Sequence, residues 1–243
     1  YTHPALLMLA KNADALFAQT EFEAQTLEDL GIQPKRIHLQ GMGVDLQSCT
    51  NGNSATARKL WQSLPNEIVV GHLANLSWDK GSTDLLSAME ILWRRGSAAK
   101  LVLAGPAMPS FEKAFRSFPF KDKVIRTGPL SSEEKKDFFA SLDIFALPSR
   151  SDSFGIVLLE AWANGKPCVV YKAGGPGSLV KHASDGLVVP CDDINSLATA
   201  LEKLILDRKL SEQLGAAGNS RIAKEFLWER KCQVFESALK SLV

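Results

Sequence analysis

The chain has 243 residues, 45% hydrophobic and 23% charged, and its 28 basic and 27 acidic residues give a net charge of +1. That balance argues against nucleic acid or an anionic membrane surface as a partner, because both are bound through an excess of positive charge. The sequence has no signal-peptide pattern at its start, no run of about 20 apolar residues and only four scattered cysteines, so we predict a cytoplasmic protein with reduced thiols.

In chain order, the first predicted elements are too few to form a domain, because two short strands and one helix cannot close a core. The helix begins with a predicted capping box of Thr20 and Glu23. We therefore predict that residues 1–48 are the tail of another domain and that the polar residues 49–66 are a linker. The strands are predicted over 15–19 and 36–40, and the helix over 20–31.

From residue 68 onward, short apolar runs alternate with segments of helical periodicity. Strand, helix and strand in this rhythm indicate parallel strands joined by right-handed crossovers. Residues 67–225 are thus predicted to form an α/β domain with a doubly wound parallel sheet, followed by an amphipathic helix over 226–243. Strands are predicted over 68–74, 100–105, 123–128, 144–149, 167–171 and 187–190, and helices over 82–96, 111–118, 131–142 and 194–207, with another beginning near residue 155.

Three polar turns directly follow predicted strands. In an open parallel sheet, ligands bind beyond the carboxyl ends of the strands. We therefore predict that the functional site lies at this edge. The turns are ANLSWDKGS (74–82), TGPLSS (127–132) and PSRSDSFG (148–155).

The third turn leads into a helix, with an acid on each side of a Phe-Gly pair. Gly155 stands where the helix begins, and the free N–H groups and dipole of a first turn favour an anion. Asp152 precedes the helix, and Glu160 is a lone acid among apolar residues within it, where it needs a partner. This pattern suits a phosphate flanked by hydroxyl groups. The alternative is structural: Asp152 caps the helix and Glu160 pairs with Arg150 or Lys166 on an exposed face.

Two further turns could bind phosphate. Lys80 stands just before a helix whose first residues are small, which predicts a second phosphate donor; the alternative is a solvated loop lysine. The segment AGGPGS (173–178) is predicted to be a flexible loop that could wrap a ligand through its backbone. His72 and His182 have no partners at metal-ligand spacing, and no GxSxG motif is present. We therefore predict no metal site and no serine nucleophile.

Together, these motifs resemble the retaining glycosyltransferases of family 4, also called group 1 glycosyltransferases. The resemblance implies a GT-B architecture of two Rossmann-like domains, of which this chain would be the C-terminal, donor-binding half. The N-terminal acceptor domain would be missing, and peripheral contact with a membrane through that half is left open. The segments that carry the resemblance are NADALFAQTEF, KRIHLQGMGVD, WDKGSTDLLSAM, LVLAGP, TGPLSSEEKKDFF, DIFALPSRSDSFGIVLLEAWANGKPCVV, AGGPGSLV and DGLVVPCDD.

The resemblance implies a role for each matching residue. Glu160 would bind the ribose hydroxyls, Asp152 would hold donor-sugar hydroxyls and stabilise the cationic transition state, and Lys80 would neutralise the diphosphate. The departing phosphate would take the acceptor proton on the same face of the sugar, without a metal or another cofactor. Phe154, Gly155 and Ile156 would present backbone amides to the sugar and phosphates, and Gly128 to Leu130 would line the base pocket.

Three positions depart from the family pattern: Asp152 stands where Glu is usual, Asn75 where Arg is common in the donor site, and Ser178 where Glu is frequent. We predict sugar transfer from a nucleotide-diphosphate sugar, with UDP or GDP as the nucleotide, to a sugar, glycan or lipid-linked acceptor. The alternative is a non-catalytic nucleotide-sugar-binding domain, and a nucleotide-sugar epimerase is a weaker one.

Overall fold

A computed structural model describes residues 3–64 and 66–242 of the chain. The predicted tail, linker and C-terminal helix each extend beyond that part, at residues 1, 2, 65 and 243. The described strands are β1 (Leu16–Ala18), β2 (Ile37–Leu39), β3 (Val69–Leu73), β4 (Lys100–Ala104), β5 (Val124–Gly128), β6 (Ile144–Leu147), β7 (Cys168–Tyr171) and β8 (Gly186–Val189). The described α-helices are α1 (Pro4–Asn12), α2 (Glu21–Asp29), α3 (Leu46–Cys49), α4 (Ser54–Leu60), α5 (Ser82–Arg94), α6 (Pro109–Arg116), α7 (Ser132–Ser141), α8 (Ile156–Ala163), α9 (Gly174–Leu179), α10 (Ile194–Leu206), α11 (Arg208–Glu225) and α12 (Trp228–Lys240).

The main sheet has six parallel strands in the order β5-β4-β3-β6-β7-β8, and β1 and β2 form a separate parallel pair. This confirms the predicted doubly wound sheet, and each of its strands lies within two residues of its predicted bounds. From the central strand β3 the chain builds outward to β5, then returns to place β6 on the other side of β3. The order of strands therefore reverses between β3 and β6, which is where an open sheet forms a crevice.

The core lies on both faces of this sheet because neighbouring residues in each strand point to opposite sides. In β4, Leu101 and Leu103 pack on the face that α5 and α10 cover, whereas Val102 packs on the face that α7 and α8 cover. Trp93 of α5 and Trp162 of α8 are both buried in this core. Of the described helices, none combines the length and apolar character needed to cross a bilayer.

The predicted helix starts depend on side-chain caps. Helix α7 begins with a capping box: Ser131 Oγ accepts from the Glu134 amide at 3.3 Å, and the Glu134 carboxylate accepts from the Ser131 amide at 2.8 Å. At α2, Thr20 Oγ1 accepts from the Glu23 amide as predicted, but the Glu23 carboxylate binds the amide of Gln19, one residue earlier.

Much of the predicted linker is helical and packs on the main domain. Asp45 and Asn53 cap α3 and α4 with their side chains, and the Asn53 amide donates to the Asp137 carboxylate of α7 at 2.6 Å. The linker approaches α7 so closely that a Cβ at Gly52 would lie 2.1 Å from the Lys136 carbonyl oxygen. Polar composition predicts a loop, but it cannot show that the polar groups bind another helix.

Two chain segments cross side by side between the small sheet and the main sheet. The Val44 amide donates to the Phe226 carbonyl at 2.8 Å, and Val44 forms a parallel bridge with Leu227. Because residues 226 and 227 take part in this crossing, α12 begins at Trp228, two residues after the predicted start. Helices α1 and α11 are not predicted from the sequence.

Candidate functional site

The predicted site residues Lys80 and Asp152 meet where the strand order reverses. Lys80 lies in the loop after β3, and Asp152 lies in the loop after β6. Lys80 Nζ lies 2.7 Å from Asp152 Oδ2 and donates to the Ser151 carbonyl at 3.0 Å. Both side chains keep about a quarter of their surface exposed, at 26% and 21%, so a ligand can reach the pair.

Asp152 also organises the start of α8. Its second oxygen, Oδ1, accepts from the amides of Gly155 at 2.8 Å and Phe154 at 3.2 Å. Asp152 is not the cap of α8, because Gly155 holds that position and makes no side-chain cap hydrogen bond, so the capping alternative is wrong for Asp152. The amides of Phe154 and Gly155, two of the predicted phosphate donors, are nevertheless already engaged. Within the described residues, the amide of Ile156 has no hydrogen-bond partner. The Ile156 side chain is exposed and that of Phe154 is buried.

The segment 173–178 is not the flexible loop that the sequence predicts. It forms the short helix α9, and the Gly175 amide donates to the Asp152 carbonyl at 2.8 Å. A Cβ at Gly175 would lie 2.1 Å from the Ser153 carbonyl oxygen, and one at Gly174 would lie 2.7 Å from that of Asp152. These glycines therefore allow α9 to support the Asp152 loop from behind.

Glu160 lies one turn into α8 and is only 7% exposed. Its Oε1 pairs with Lys135 Nζ of α7 at 2.5 Å, and its buried Oε2 has no hydrogen-bond partner among the described residues. The predicted alternative, an exposed pair with Arg150 or Lys166, is therefore wrong in both exposure and partner. A buried acceptor left without a donor is costly, so Glu160 Oε2 can accept a hydrogen bond from a ligand.

The other predicted residues lie along the same edge of the sheet. Gly128 ends β5 with a left-handed φ of +72°, and its carbonyl accepts from the Gly105 amide at 2.8 Å. Leu130 is half-buried and packs on the apolar cluster beneath α7 and α8. Asn75 is exposed, and no hydrogen bond from its side chain is present in the described part of the chain.

Arg150 joins the two loops of the site, which the sequence analysis did not predict. Its guanidinium binds Asp84 at 2.5 Å and Asp192 at 2.6 Å. It also stacks 4.0 Å from the centre of the Trp78 ring and donates to the Trp78 carbonyl. The Arg150 amide donates to the Asp79 carbonyl at 2.8 Å, directly before Lys80. This network fixes the loop that carries Lys80.

A second buried polar contact holds the far end of that loop. His72 of β3 is fully buried, with Nδ1 2.8 Å from the Ala146 carbonyl and Nε2 2.9 Å from Ser82 Oγ. Because the carbonyl can only accept, Nδ1 carries the proton. Burial lowers the pKa of His72 to about 4. Across the described residues, no three His, Cys, Asp or Glu side chains are grouped so as to hold a metal ion.

Residues 54–221 match the protein family described as glycosyl transferases group 1. The chain belongs to that family. It is 32% identical over 242 residues to the D-inositol 3-phosphate glycosyltransferase of Rhodococcus erythropolis, covering 95% of this chain and 54% of that protein. It is 31% identical over 166 residues to a GDP-mannose-dependent alpha-(1-6)-phosphatidylinositol monomannoside mannosyltransferase of Mycobacterium tuberculosis, covering 65% of this chain and 43% of that protein.

The group 1 fold is also seen in solved structures. Anabaena HepE in complex with UDP superposes with a TM-score of 0.87 at 22% identity, covering 97% of this chain and 66% of that one. This likeness shows a Rossmann-like domain of GT-B type. The chain spans about half the length of the curated relatives that it matches.

Proposed function

We propose that this chain is the donor-binding half of a retaining glycosyltransferase that transfers a sugar from a nucleotide-diphosphate sugar to an acceptor hydroxyl without a metal ion. The observation that carries the proposal is the buried Glu160 Oε2, which lacks a donor. The two hydroxyls of a ribose are donors of suitable chemistry. Family membership and the UDP complex of HepE support a nucleotide as the ligand.

The Lys80–Asp152 pair suits the chemistry of transfer. The bond between the sugar C1 and the phosphate oxygen breaks, the acceptor oxygen bonds C1 on the same face, and the acceptor proton passes to the departing phosphate. Lys80 stabilises the negative charge on that phosphate, and the Asp152 carboxylate stabilises positive charge on the sugar ring. The free Ile156 amide at the start of α8 adds a donor for phosphate.

The experiment is a titration of the chain with UDP, GDP and ADP in the presence of EDTA, followed by amide chemical shifts. We expect one nucleotide to bind, with shifts centred on Lys80, Leu130, Gly155 and Glu160. Glu160→Gln should weaken that binding by about 10- to 150-fold, since a hydrogen bond to a charged group contributes about 1.5–3 kcal/mol.

Glu229→Gln is the matched control, because it makes the same charge change at an exposed position of α12. Equal affinity of the two variants would return Glu160 to a purely structural role as the partner of Lys135. Binding that is abolished by EDTA would contradict the metal-free mechanism.

The second candidate is a domain that binds nucleotide sugars without catalysis. It is favoured by Asn75, which is uncharged and exposed where the family resemblance leads us to expect an arginine. Consumption of bound UDP-glucose or GDP-mannose in the presence of acceptors separates the two candidates. A donor that binds and stays intact favours the second.

A further inference from the structure

The ion pair of Lys135 and Glu160 joins α7 to α8 beside the proposed donor site. Lys135 Nζ lies 2.5 Å from Glu160 Oε1, and the lysine side chain keeps 31% of its surface exposed. Within the described residues, Glu160 Oε1 accepts from no other group, and Lys135 Nζ donates to no other acceptor. The contact is therefore one-to-one, and solvent reaches it from the lysine side.

The main chain on each side of this pair is fixed independently of it. Helix α7 begins with its capping box, and the Lys135 amide donates to the Ser131 carbonyl at 2.9 Å. On α8, Asn164 Nδ2 donates to the Glu160 carbonyl at 2.9 Å and to the Cys49 carbonyl of α3 at 2.8 Å. The backbone of Glu160 is thus held by its own helix and by α3, whereas the direction of its carboxylate depends on Lys135.

The other groups around the Glu160 carboxylate do not compete for the lysine. Burial and, next, the Glu160 carboxylate raise the pKa of Cys49 to about 11, so this thiol is uncharged at neutral pH. The neighbours of Glu160 in α8, Leu159 and Ala161, are apolar and buried. Lys135 therefore engages Oε1, and Oε2 is the buried oxygen that is left without a donor.

A carboxylate can bind hydroxyl groups strongly only if its oxygens are held in place. Hydrogen bonds to a charged acceptor are strong because both charge and geometry are favourable. A buried charge that loses its partner is strongly destabilising, so without Lys135 the carboxylate of Glu160 would turn toward water. Oε2 would then leave the position where it can meet a ligand.

We propose that Lys135 is a positioning residue for nucleotide binding, which holds the Glu160 carboxylate so that Oε2 meets the ribose hydroxyls of the donor. The inference rests on the proposed function, in which Glu160 binds the ribose. Lys135 acts through Glu160 and not by contact with the donor. The competing interpretation is that the pair only packs α7 on α8, in which case its loss would not distinguish one ligand from another.

The experiment measures Kd by amide-shift titration with UDP, GDP and their 2′,3′-dideoxy forms, which lack both ribose hydroxyls. Lys135→Met removes the ammonium and keeps an unbranched side chain. We expect it to weaken binding of the preferred ribonucleotide by about tenfold or more, and binding of its dideoxy form by less than about twofold. Lys135→Arg should retain most of the affinity, because arginine also donates to carboxylates.

Lys136→Met is the matched control on the same helix. Lys136 pairs with Glu133 at 2.9 Å, and the Glu133 side chain is 81% exposed. This variant should leave the affinity for each nucleotide unchanged, and urea denaturation of all variants shows that they are folded in the assay.

A double variant covers the case in which Lys135→Met does not fold. Lys135→Met/Glu160→Gln removes both charges of the buried pair, so it leaves no unpaired carboxylate. It should bind the ribonucleotide as tightly as Glu160→Gln alone, because a positioning residue acts through the residue that it positions.

Three results would overturn the inference. They are equal effects of Lys135→Met and Lys136→Met on the ribonucleotide, an equal loss with the dideoxy form, and a further loss in the double variant relative to Glu160→Gln. If no nucleotide binds the wild-type chain, the proposed function and this inference fail together. If binding depends on Glu160 but not on Lys135, the proposed function stands and only this inference fails.

Discussion

Individual glycines define how closely the two loops of the site approach the sheet. Gly81, next to Lys80, has a left-handed φ of +69°, and a Cβ there would lie 1.9 Å from the Pro148 carbonyl oxygen. Gly81→Ala combines a left-handed penalty of about 1–2 kcal/mol with an overpacking cost of about 1–3 kcal/mol. We expect the free energy of unfolding to fall by about 2–5 kcal/mol, measured by urea denaturation.

Gly96 provides the matched control for this substitution. Its φ is +92°, but a Cβ there would meet no atom within 4 Å. Gly96→Ala should therefore show only the left-handed penalty, about 1–2 kcal/mol. If the free energy of unfolding fell equally in both variants, the close approach of Gly81 to Pro148 would not contribute to the cost of Gly81→Ala.

His72 makes stability depend on pH in a defined window. Its folded pKa of about 4 lies below the ordinary value of 6.5, so between these values the unfolded state binds the extra proton. The contribution of His72 is fully present above pH 6.5 and is lost as the pH falls toward 4, by about 3 kcal/mol in all. Urea denaturation from pH 7 to pH 4 should show this loss in the wild type and a shallower loss in His72→Gln. Parallel curves would mean that His72 titrates normally.

At this scale the sequence predicts some partners and misses others. A lone acid among apolar residues indicates that Glu160 needs a partner, but the nearest cation, Lys135, lies 25 residues earlier in another helix. Their contact depends on how α7 and α8 pack, which no local pattern encodes. Asp152 is ambiguous for a different reason: one of its oxygens binds the amides of Phe154 and Gly155 just before the helix, and the other binds Lys80.

At the scale of elements, Arg150 connects the loop after β6 to the loop after β3. Arg150→Lys keeps the charge but loses the planar fork that reaches both Asp84 and Asp192. The side chain of Asp84 is only 8% exposed, so we expect the free energy of unfolding to fall by about 1.5–3 kcal/mol. We also expect weaker nucleotide binding, because Lys80 loses its support.

Arg208→Lys is the control for that substitution. Arg208 is 80% exposed and pairs with Glu212 one turn along α11. Such surface pairs contribute little, about 0–1 kcal/mol. Unfolding free energies that fall equally in the two variants would contradict the role of Arg150 in joining the loops.

The six strands of the main sheet are predictable because each is a short apolar run bounded by turn residues. Helix α9 and helices α3 and α4 are not, since their sequences are rich in glycine or in polar residues. Gly175 is helical because it fits against the Ser153 carbonyl, and Asn53 begins a helix that is tied to Asp137. These helices are stabilised by tertiary contacts, which local sequence composition does not predict.

At the scale of the whole molecule, net charge conceals the distribution of charge. A sum of +1 correctly describes the chain but gives no indication that Lys181, Lys224, Arg230 and Lys231 share one cavity. These residues come from a loop and from two helices, so only the fold brings them together. The edge of the sheet that holds Lys80 and Asp152 was predictable, because turns that directly follow parallel strands lie at the same edge.

The paired crossing at Val44 and Phe226 limits how the two sheets can move. Helix α2 also packs on α9, so the small sheet is held against the main domain at a second place. Lys80, Asp152 and Glu160 all belong to the main domain, so their spacing does not depend on where the small sheet lies. A donor would therefore meet a geometry fixed within one domain, while the space beside it is set by the contacts between the two sheets.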